Sequence, residues 1–531
     1  MTKKLTAAVL AVILMFSVFT VPASAKSIEL PQTVTNAVYS MLDKAVTVIL
    51  TYLNRFWPGY DKNWGGTEDY KPENFYTGND NFGSAADKGD KWLLGYSGAS
   101  LLEGLDIMNG SFYLAGSLEA IKGRAPKEIL DDQRVRVFAV SDGVSGTVLY
   151  AAIDGFGISR GDVQEIRNRI SDFAKENNVV SVNVSVLHQH SCIDTLGMGV
   201  PLAPALIFNT GNAASGGKIE PLKVQKNKQF TENLFNKTVE CMKEAVNNMK
   251  PGSLSYGEAD IGEYIKDKRS PYFYDSMIHR LRFDPDDGSA ETWILEAGIH
   301  PVSIGASADR LSADFPYYIE KNINETVGAN VVYIQGAELG ISTEKSLTEV
   351  EGASDVENLT AYANAIADKV KAISSEEVLA PTLGVTHREV SLNVTNQIHV
   401  LAAREDILNA VIAKDGKNYK MITEIGYMEL GGSVGIFLCP GEFEAGIIYD
   451  GAVTTKEESW SGESWDFAPL ESFTGCKNIM VFGLCNDQTG YVLTDNAYRS
   501  MFTENEEVNV VSKTAGSTFA GAYIDLLQSV K

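Results

Sequence analysis

Between residues 134 and 190 the spacing of apolar positions changes from two to nearly four and back, which predicts a hairpin, a helix and a further strand. Val135, Val137 and Ala139 alternate up to Ser141-Asp142-Gly143, a turn signal, and Val148–Ile153 is an unbroken apolar run. Val163, Ile166, Ile170 and Phe173 then fall on one face of an amphipathic helix that Asn177-Asn178 ends, and a strand begins at Val179. Strand, helix and strand with short joins form a βαβ unit. Its strands are parallel, and ligands bind beyond their C-terminal ends. Asp154 and His188 stand at those ends.

The theme recurs without a fixed repeat. Trp293–Ile299 runs into His300-Pro301, Asn330–Ile334 is another strand, and Leu359, Tyr362, Ile366, Val370 and Ile373 make a helix face. Val434–Leu438 runs into Cys439-Pro440-Gly441-Glu442, and Ile479–Leu484 into Asn486-Asp487. The fold class is α/β (mixed α+β), one large sheet with flanking helices and its site at the C-terminal ends of strands. Upstream, Val34, Val38, Met41, Leu42, Ala45 and Ile49 predict a helix to about Trp57, ended by Pro58-Gly59; Asp43 and Lys44 inside it weaken a membrane reading. Asn63 to Asp90 reads as an irregular polar connection. Three parts follow: 1–25, a 26–92 extension of helix plus irregular loop, and a 93–531 body.

Residues 1–25 set the compartment. Lys3 and Lys4 precede an apolar stretch from Ala7 to Phe19 and the triplet Ala23-Ser24-Ala25, the layout of a signal peptide cleaved after Ala25. The protein therefore reads as secreted or extracytoplasmic. Composition fits a globular chain, 44% hydrophobic and 21% charged, and a net charge of −24 that cleavage of two lysines takes to −26. Such acidity disfavours nucleic acid and anionic lipid over the whole surface, leaving at most peripheral membrane contact. The oligomeric state is not encoded legibly. Five scattered cysteines are too few for a disulfide framework; Cys476 with Cys485 is the one pairing an exported chain invites, and the set otherwise reads as structural.

Candidate chemistry gathers at the strand ends. Val180, Val182, Val184 and Val186 precede His188 and His190, so a continuous strand puts all six on one face and two imidazoles at its end, a metal-ligand geometry or a ligand plus a catalytic neighbour. His300 follows its own apolar strand, and Glu442 either caps a helix starting near Phe443 or points into a site. Asp154, Asp194 and Asp314 are further carboxylate candidates near these positions. His279, His387 and His399 have no ligand-type neighbour in sequence and read as structural, and Arg160-Gly161-Asp162 reads as the acidic opening of a helix. GxSxG, Walker and Rossmann glycine patterns are absent.

VNVSVLHQHSCIDTLG resembles the HTHSG signature of neutral/alkaline, non-lysosomal ceramidases, secreted zinc amidohydrolases. AAIDGFG, ILEAGIHPVS with SADFP, FLCPGEFEAG and CNDQTGYVLTDNAY follow the family's motif order across about residues 93–500. The resemblance implies Zn2+ held by His188, His300, Glu442 and Tyr491, with His190 beside it to polarise the carbonyl of an N-acyl lipid or related linear amide, or to shuttle the proton. It also implies a chain without the Ig-like C-terminal domain of long ceramidases. Departures occur at Ala337, where the SNxGD segment has Ser, at Gln488 and Thr503, where the family has Tyr, and at Cys192, where Gly is usual. A hydrolase for another amide or an ester, and a non-catalytic extracellular binding protein, are the alternatives.

Overall fold

The computed structural model describes residues 32–56, 64–501 and 506–530, except 73–74, 80, 83–88, 117–121, 203, 206–207, 210–211, 213–214, 216, 218–219 and 306–307. The signal segment, Pro58-Gly59 and Thr503 lie outside the described residues.

The chain begins with α1 (Gln32–Phe56), then β1 (Trp92–Ser100), β2 (Arg134–Ser141), β3 (Thr147–Ile153), α2 (Arg160–Glu176) and β4 (Val179–Val186). α3 (Lys228–Asn247) leads to β5 (Lys250–Asp260), β6 (Met277–Pro285) and β7 (Thr292–Ala297), and α4 (Asp314–Val327) crosses to β8 (Asn330–Gln335) before α5 (Asp355–Lys371). The nine-stranded sheet runs β8-β7-β6-β5-β1-β2-β3-β4, with Glu377–Val378 added beside β5. Its centre is antiparallel, and each edge is a parallel pair made by a βαβ crossover: β3-α2-β4 at one edge, β7-α4-β8 at the other. The hairpin and first βαβ unit lie where the periodicity places them.

A second sheet follows from β9 (Leu383–Asn393), β10 (Ile412–Asp415), β11 (Asn418–Leu430), β12 (Val434–Leu438) and β14 (Asn478–Phe482), in the order β9-β11-β12-β14 with β10 against β11. Between its last two strands, β13 (Glu442–Phe443) pairs in parallel with β15 (Tyr491–Val492). Alternation explains the layering. Phe138, Val140, Val148, Tyr150 and Ala152 face inward onto Met428, Ile436, Leu438 and Phe482 of the second sheet, whereas Val137, Ala139, Leu149 and Ala151 face α2 and α3. Strands buried on both faces read as continuous apolar runs, which is why Val148–Ile153 shows no alternation. The second sheet's outer face is covered by α6 (Ala515–Ser529), through Phe519, Tyr523 and Leu527.

Two expectations change. The β3–β4 register shifts beside Thr147, so Val180 packs with the inner cluster while Val182, Val184 and Val186 pack under the helices. The strand then stops at Val186, so the six even positions do not share one face. None of the five cysteines is bonded, and Cys485 is buried in the core without Cys476. The 26–92 extension is fastened to the body: Val46 and Leu50 of α1 pack on Ile407 and Met501, Ser500 donates to Asp43 at 2.7 Å, and Asn79 and Asn81 hydrogen-bond to the loop after β2 and to β9.

The polar face of β4 meets the second sheet. Ser181 Oγ lies 2.7 Å from His387 Nε2, and Asn486 accepts from Val184 N at 3.0 Å while donating to Asn183 at 2.9 Å. Behind them Glu424 of β11 receives Arg160 at 3.2 Å, Arg167 at 2.8 Å and Asn486 at 3.1 Å, all buried. Burial opposes charge on Glu424, but Arg167 and His387 outweigh it and hold its carboxyl well below the usual range. Arg160, read from the sequence as part of a helix opening, is thus also a buried tie between sheets. Replacing Glu424 by Gln leaves two buried guanidiniums short of a countercharge; a loss of about 3–5 kcal/mol is expected, read as a lower urea unfolding midpoint. An unchanged midpoint would show that the network is dispensable.

Candidate metal centre

Four loops at strand ends build the cluster, the last of them, after β8, carrying Glu338. The first leaves β4: His188 adopts φ +61°, a left-handed conformation that costs a non-glycine residue of order 1–3 kcal/mol and persists only when its surroundings fix it. Gln189, between the histidines, does the fixing. Its Oε1 accepts Gly155 N at 2.9 Å, its N donates to Gly155 O at 3.1 Å, and its Nε2 donates to Asp154 Oδ1 at 2.7 Å. Asp154 is in turn paired with the buried Arg136 at 2.7 Å. Gly116 packs so closely behind His190 that a Cβ there would sit 2.2 Å from the His190 carbonyl.

The second loop leaves β7 and carries His300. The third, Cys439–Glu442, leaves β12, and Gly441 lets it press on Gly490, where a Cβ would come within 2.6 Å of the carbonyl. By ladder alone β4 and β7 run in opposite senses. The accumulated right-handed twist, with the sheet folding over so that β8 lies against β2–β4, brings their C-terminal ends to one place. His188 and His300 rings lie 5.1 Å apart, and His188 and His190 rings 4.7 Å apart.

The atoms converge. Glu442 Oε2 is 3.0 Å from His300 Nε2 and 3.4 Å from His188 Nε2, and Gln488 donates to Glu442 Oε1 at 3.0 Å. His188 Nδ1 is 2.7 Å from the Phe156 carbonyl oxygen, to which it donates, so the lone pair of Nε2 faces the cluster. One ligand-type atom each from His188, His300, Glu338 and Glu442 lies within 4.8 Å of all the others, and the same holds for His188, His190 and His300. The parallel β13–β15 register pairs Glu442 with Tyr491, whose ring lies 6.5 Å from that of His300. Neither nitrogen of His190 has a protein hydrogen-bond partner. Glu442 does not cap a helix.

Burial pushes His188 down to about 4, aided by the charge of His300 and opposed by Glu442, and pushes His190 well below its usual value. For His300 burial also works against the proton, yet Glu338 and Glu442 prevail and raise it to about 9. Glu338 is raised by burial; Glu442 is lowered, its two histidines overcoming burial. Two imidazoles, of which His300 would have to release its proton, and two carboxylates in a dry pocket are a donor set that fits zinc.

Of the other sequence candidates, Asp154 braces Gln189 as described. Asp194 accepts the backbone N–H groups of Leu196, Gly197 and Gly199, and Asp314 those of Ile304 and Phe315. All three carboxylates shape loops around the cluster instead of entering it. Gln488, a departure from the family pattern, orients Glu442. Glu338 was not foreseen from sequence; it follows strand β8 as His300 follows β7. A cleft of about 780 Å³, lined by Tyr39, Asp43, Trp460 and Tyr498 among others, contains none of the cluster residues.

No family model matches the chain, and no curated protein matches it. Several solved structures do, among them two ceramidases. A neutral ceramidase from Pseudomonas aeruginosa superposes with a TM-score of 0.62 at 13% identity, over 83% of this chain and 74% of that one. A ceramidase complexed with C2 gives 0.60 at 11%, over 83% and 75%. The fold is therefore ceramidase-like, as the motif order implied.

The charge states predict a titration. His300, raised above its ordinary 6.5, contributes stability that is complete below that pH and lost as pH climbs through about 9. In metal-free protein with labelled histidines, NMR should find His300 protonated to about pH 9 and His188 neutral down to about pH 4. A His300 transition at its ordinary value would mean the carboxylates do not face it.

Proposed function

We propose that the protein is an exported, metal-dependent amidohydrolase of the neutral-ceramidase type, acting on an N-acyl lipid or a related linear amide. The observation that carries this reading is the meeting of His188, His300 and Glu442 at strand ends of a ceramidase-like fold, with the unpartnered imidazole of His190 beside them. His188 through Nε2, His300 and Glu442 would hold zinc, and the fourth donor would come from Tyr491 or Glu338. Bound there, zinc supplies Lewis acidity and water with a pKa near about 7.

The chain's own residues supply the rest. Phe156 fixes the tautomer of His188, and Gln488 fixes the carboxylate of Glu442. His190 is kept neutral by burial, so it offers one N–H and one lone pair. The first can meet a developing oxyanion, the second can take a proton and return it to the leaving amine. His188, His300 and Glu442 are buried, and although His190 as a residue keeps some exposure, both of its ring nitrogens are buried too. Low water content strengthens each of these interactions.

Export rests on the Lys3-to-Ala25 layout, and no described helix is long and apolar enough to cross a membrane. A second reading, a non-ceramide amide or ester as substrate on the same scaffold, is favoured by Ala337 and Gln488.

His188→Ala should lose bound zinc and hydrolysis together. His190→Ala should keep its zinc while the rate falls by roughly 10²–10⁴, the range for a positioned acid–base group or oxyanion donor. Zinc stoichiometry and turnover on N-acyl lipids and short N-acyl amino acids, measured for both variants, decide the matter. Full zinc and full turnover in both would end the assignment of the chemistry to this cluster, and a zinc-loaded parent that turns over none of these substrates would end the amidohydrolase reading.

A further inference from the structure

The β7–β8 pairing sets a second carboxylate beside His300. Ala297 and Gln335 are partners in the parallel ladder, and each strand continues three residues in the same direction, to His300 and to Glu338. The two loops run in contact: Gly336 N donates to Ala297 O at 3.0 Å, and a Cβ on Gly298 would come within 2.4 Å of the Ala337 carbonyl. Glu338 is fully buried. Gln335 Nε2 donates to its Oε2, which stands 3.5 Å from His300 Nδ1, while its Oε1 has no protein partner.

We propose that Glu338 is itself a ligand of the metal, so that the centre holds two imidazoles and two carboxylates, Glu338 taking the place that family resemblance gives to Tyr491. This rests on the reading of the cluster as a metal centre. A carboxylate facing only its histidine across the ring from the metal would lie far from Glu442, yet an oxygen of Glu338 is within 4.8 Å of the ligand atoms of Glu442 and His188. Charge gives the second reason. Among the described residues the only cationic side chain paired with Glu338 is His300, which Glu442 already shares. Two carboxylates this close in a dry pocket repel, and a divalent cation between them cancels both charges while neutral histidines complete the shell. The oxygen left without a partner is the atom such an ion would engage. Two oxygen donors make the centre harder than one with a single carboxylate, so Mn2+ should compete with Zn2+ better here than at a histidine-rich site.

The test uses the mature full-length protein, stripped by chelation and titrated with Zn2+ against a chromophoric competitor. Outer-shell partners are worth about 10–100-fold in metal affinity, so Glu338→Gln is expected to weaken zinc by more than about 100-fold and Tyr491→Phe by less than about 10-fold. A loss inside the outer-shell range or smaller for Glu338→Gln, or the larger loss for Tyr491→Phe, overturns the assignment. His188→Ala separates the two levels: if it binds zinc as the parent does, the metal centre itself is wrong. A measurement on the unsubstituted protein guards against a variant that fails to fold. Infrared difference spectra on adding Zn2+ should show two carboxylates passing from free to metal-bound; a single one overturns the proposal.

Discussion

Everything in this protein is arranged around the cost of keeping ionisable groups dry. His188, His300, Glu338 and Glu442 meet in a pocket where an unpaired charge would cost several kcal/mol, and none of them comes from the same loop as another. Each loop is therefore braced separately. Gln189 and Asp154 hold the first, Asp314 the second, Gly441 against Gly490 the third, and Gln335 the fourth. Those braces are themselves buried polar groups, and the Arg136–Asp154 pair and the Glu424 network extend the same demand to the seam between the two sheets. A polar cluster at the centre forces polar satisfaction outward in successive layers until secondary structure or solvent absorbs it.

The mixed sheet supplies the geometry this requires. A parallel pair at each edge, made by one crossover helix, leaves two C-terminal strand ends per edge, and the fold-over brings the edges together. β4 contributes His188, while β7 and β8 contribute His300 and Glu338. The second sheet adds Glu442 and Tyr491 through the two-residue pairing of β13 with β15. Asn486, hydrogen-bonded to both faces of Val184's peptide neighbourhood, fastens that second contribution to the end of β4.

Local periodicity made the hairpin, the first βαβ unit and the strands before His300 and Glu442 legible, because each buries a face whose spacing is written in consecutive residues. The His188 turn was not legible, since nothing in a run of alternating valines announces a left-handed residue fixed by the bonds of the glutamine that follows it. Glu424 could not be singled out either: its partners, Arg160 and Arg167, lie more than 250 positions earlier, and a charged residue inside a strand otherwise reads as solvent-facing. Glu338 is a different case. A polar residue stands just past the apolar strand Asn330–Gln335 as His300 stands past Trp293–Ile299, but glutamates are common in this sequence and histidines rare, so position alone does not single Glu338 out.

Ala337 and that glutamate belong to one argument. Where a ceramidase-like pattern has a hydroxyl, this chain has a methyl at Ala337, and the adjoining position brings a carboxylate into the cluster. Gln488, where the pattern has a phenol, donates to Glu442. The first change removes a hydroxyl beside a buried carboxylate, and the second replaces a phenol with an amide that orients Glu442. On the reading proposed above, an added carboxylate would make a cation held there less electrophilic and more firmly bound, and activation of a carbonyl would fall more heavily on a positioned neighbour. His190, held neutral by burial, is the neighbour the cluster would offer for that share.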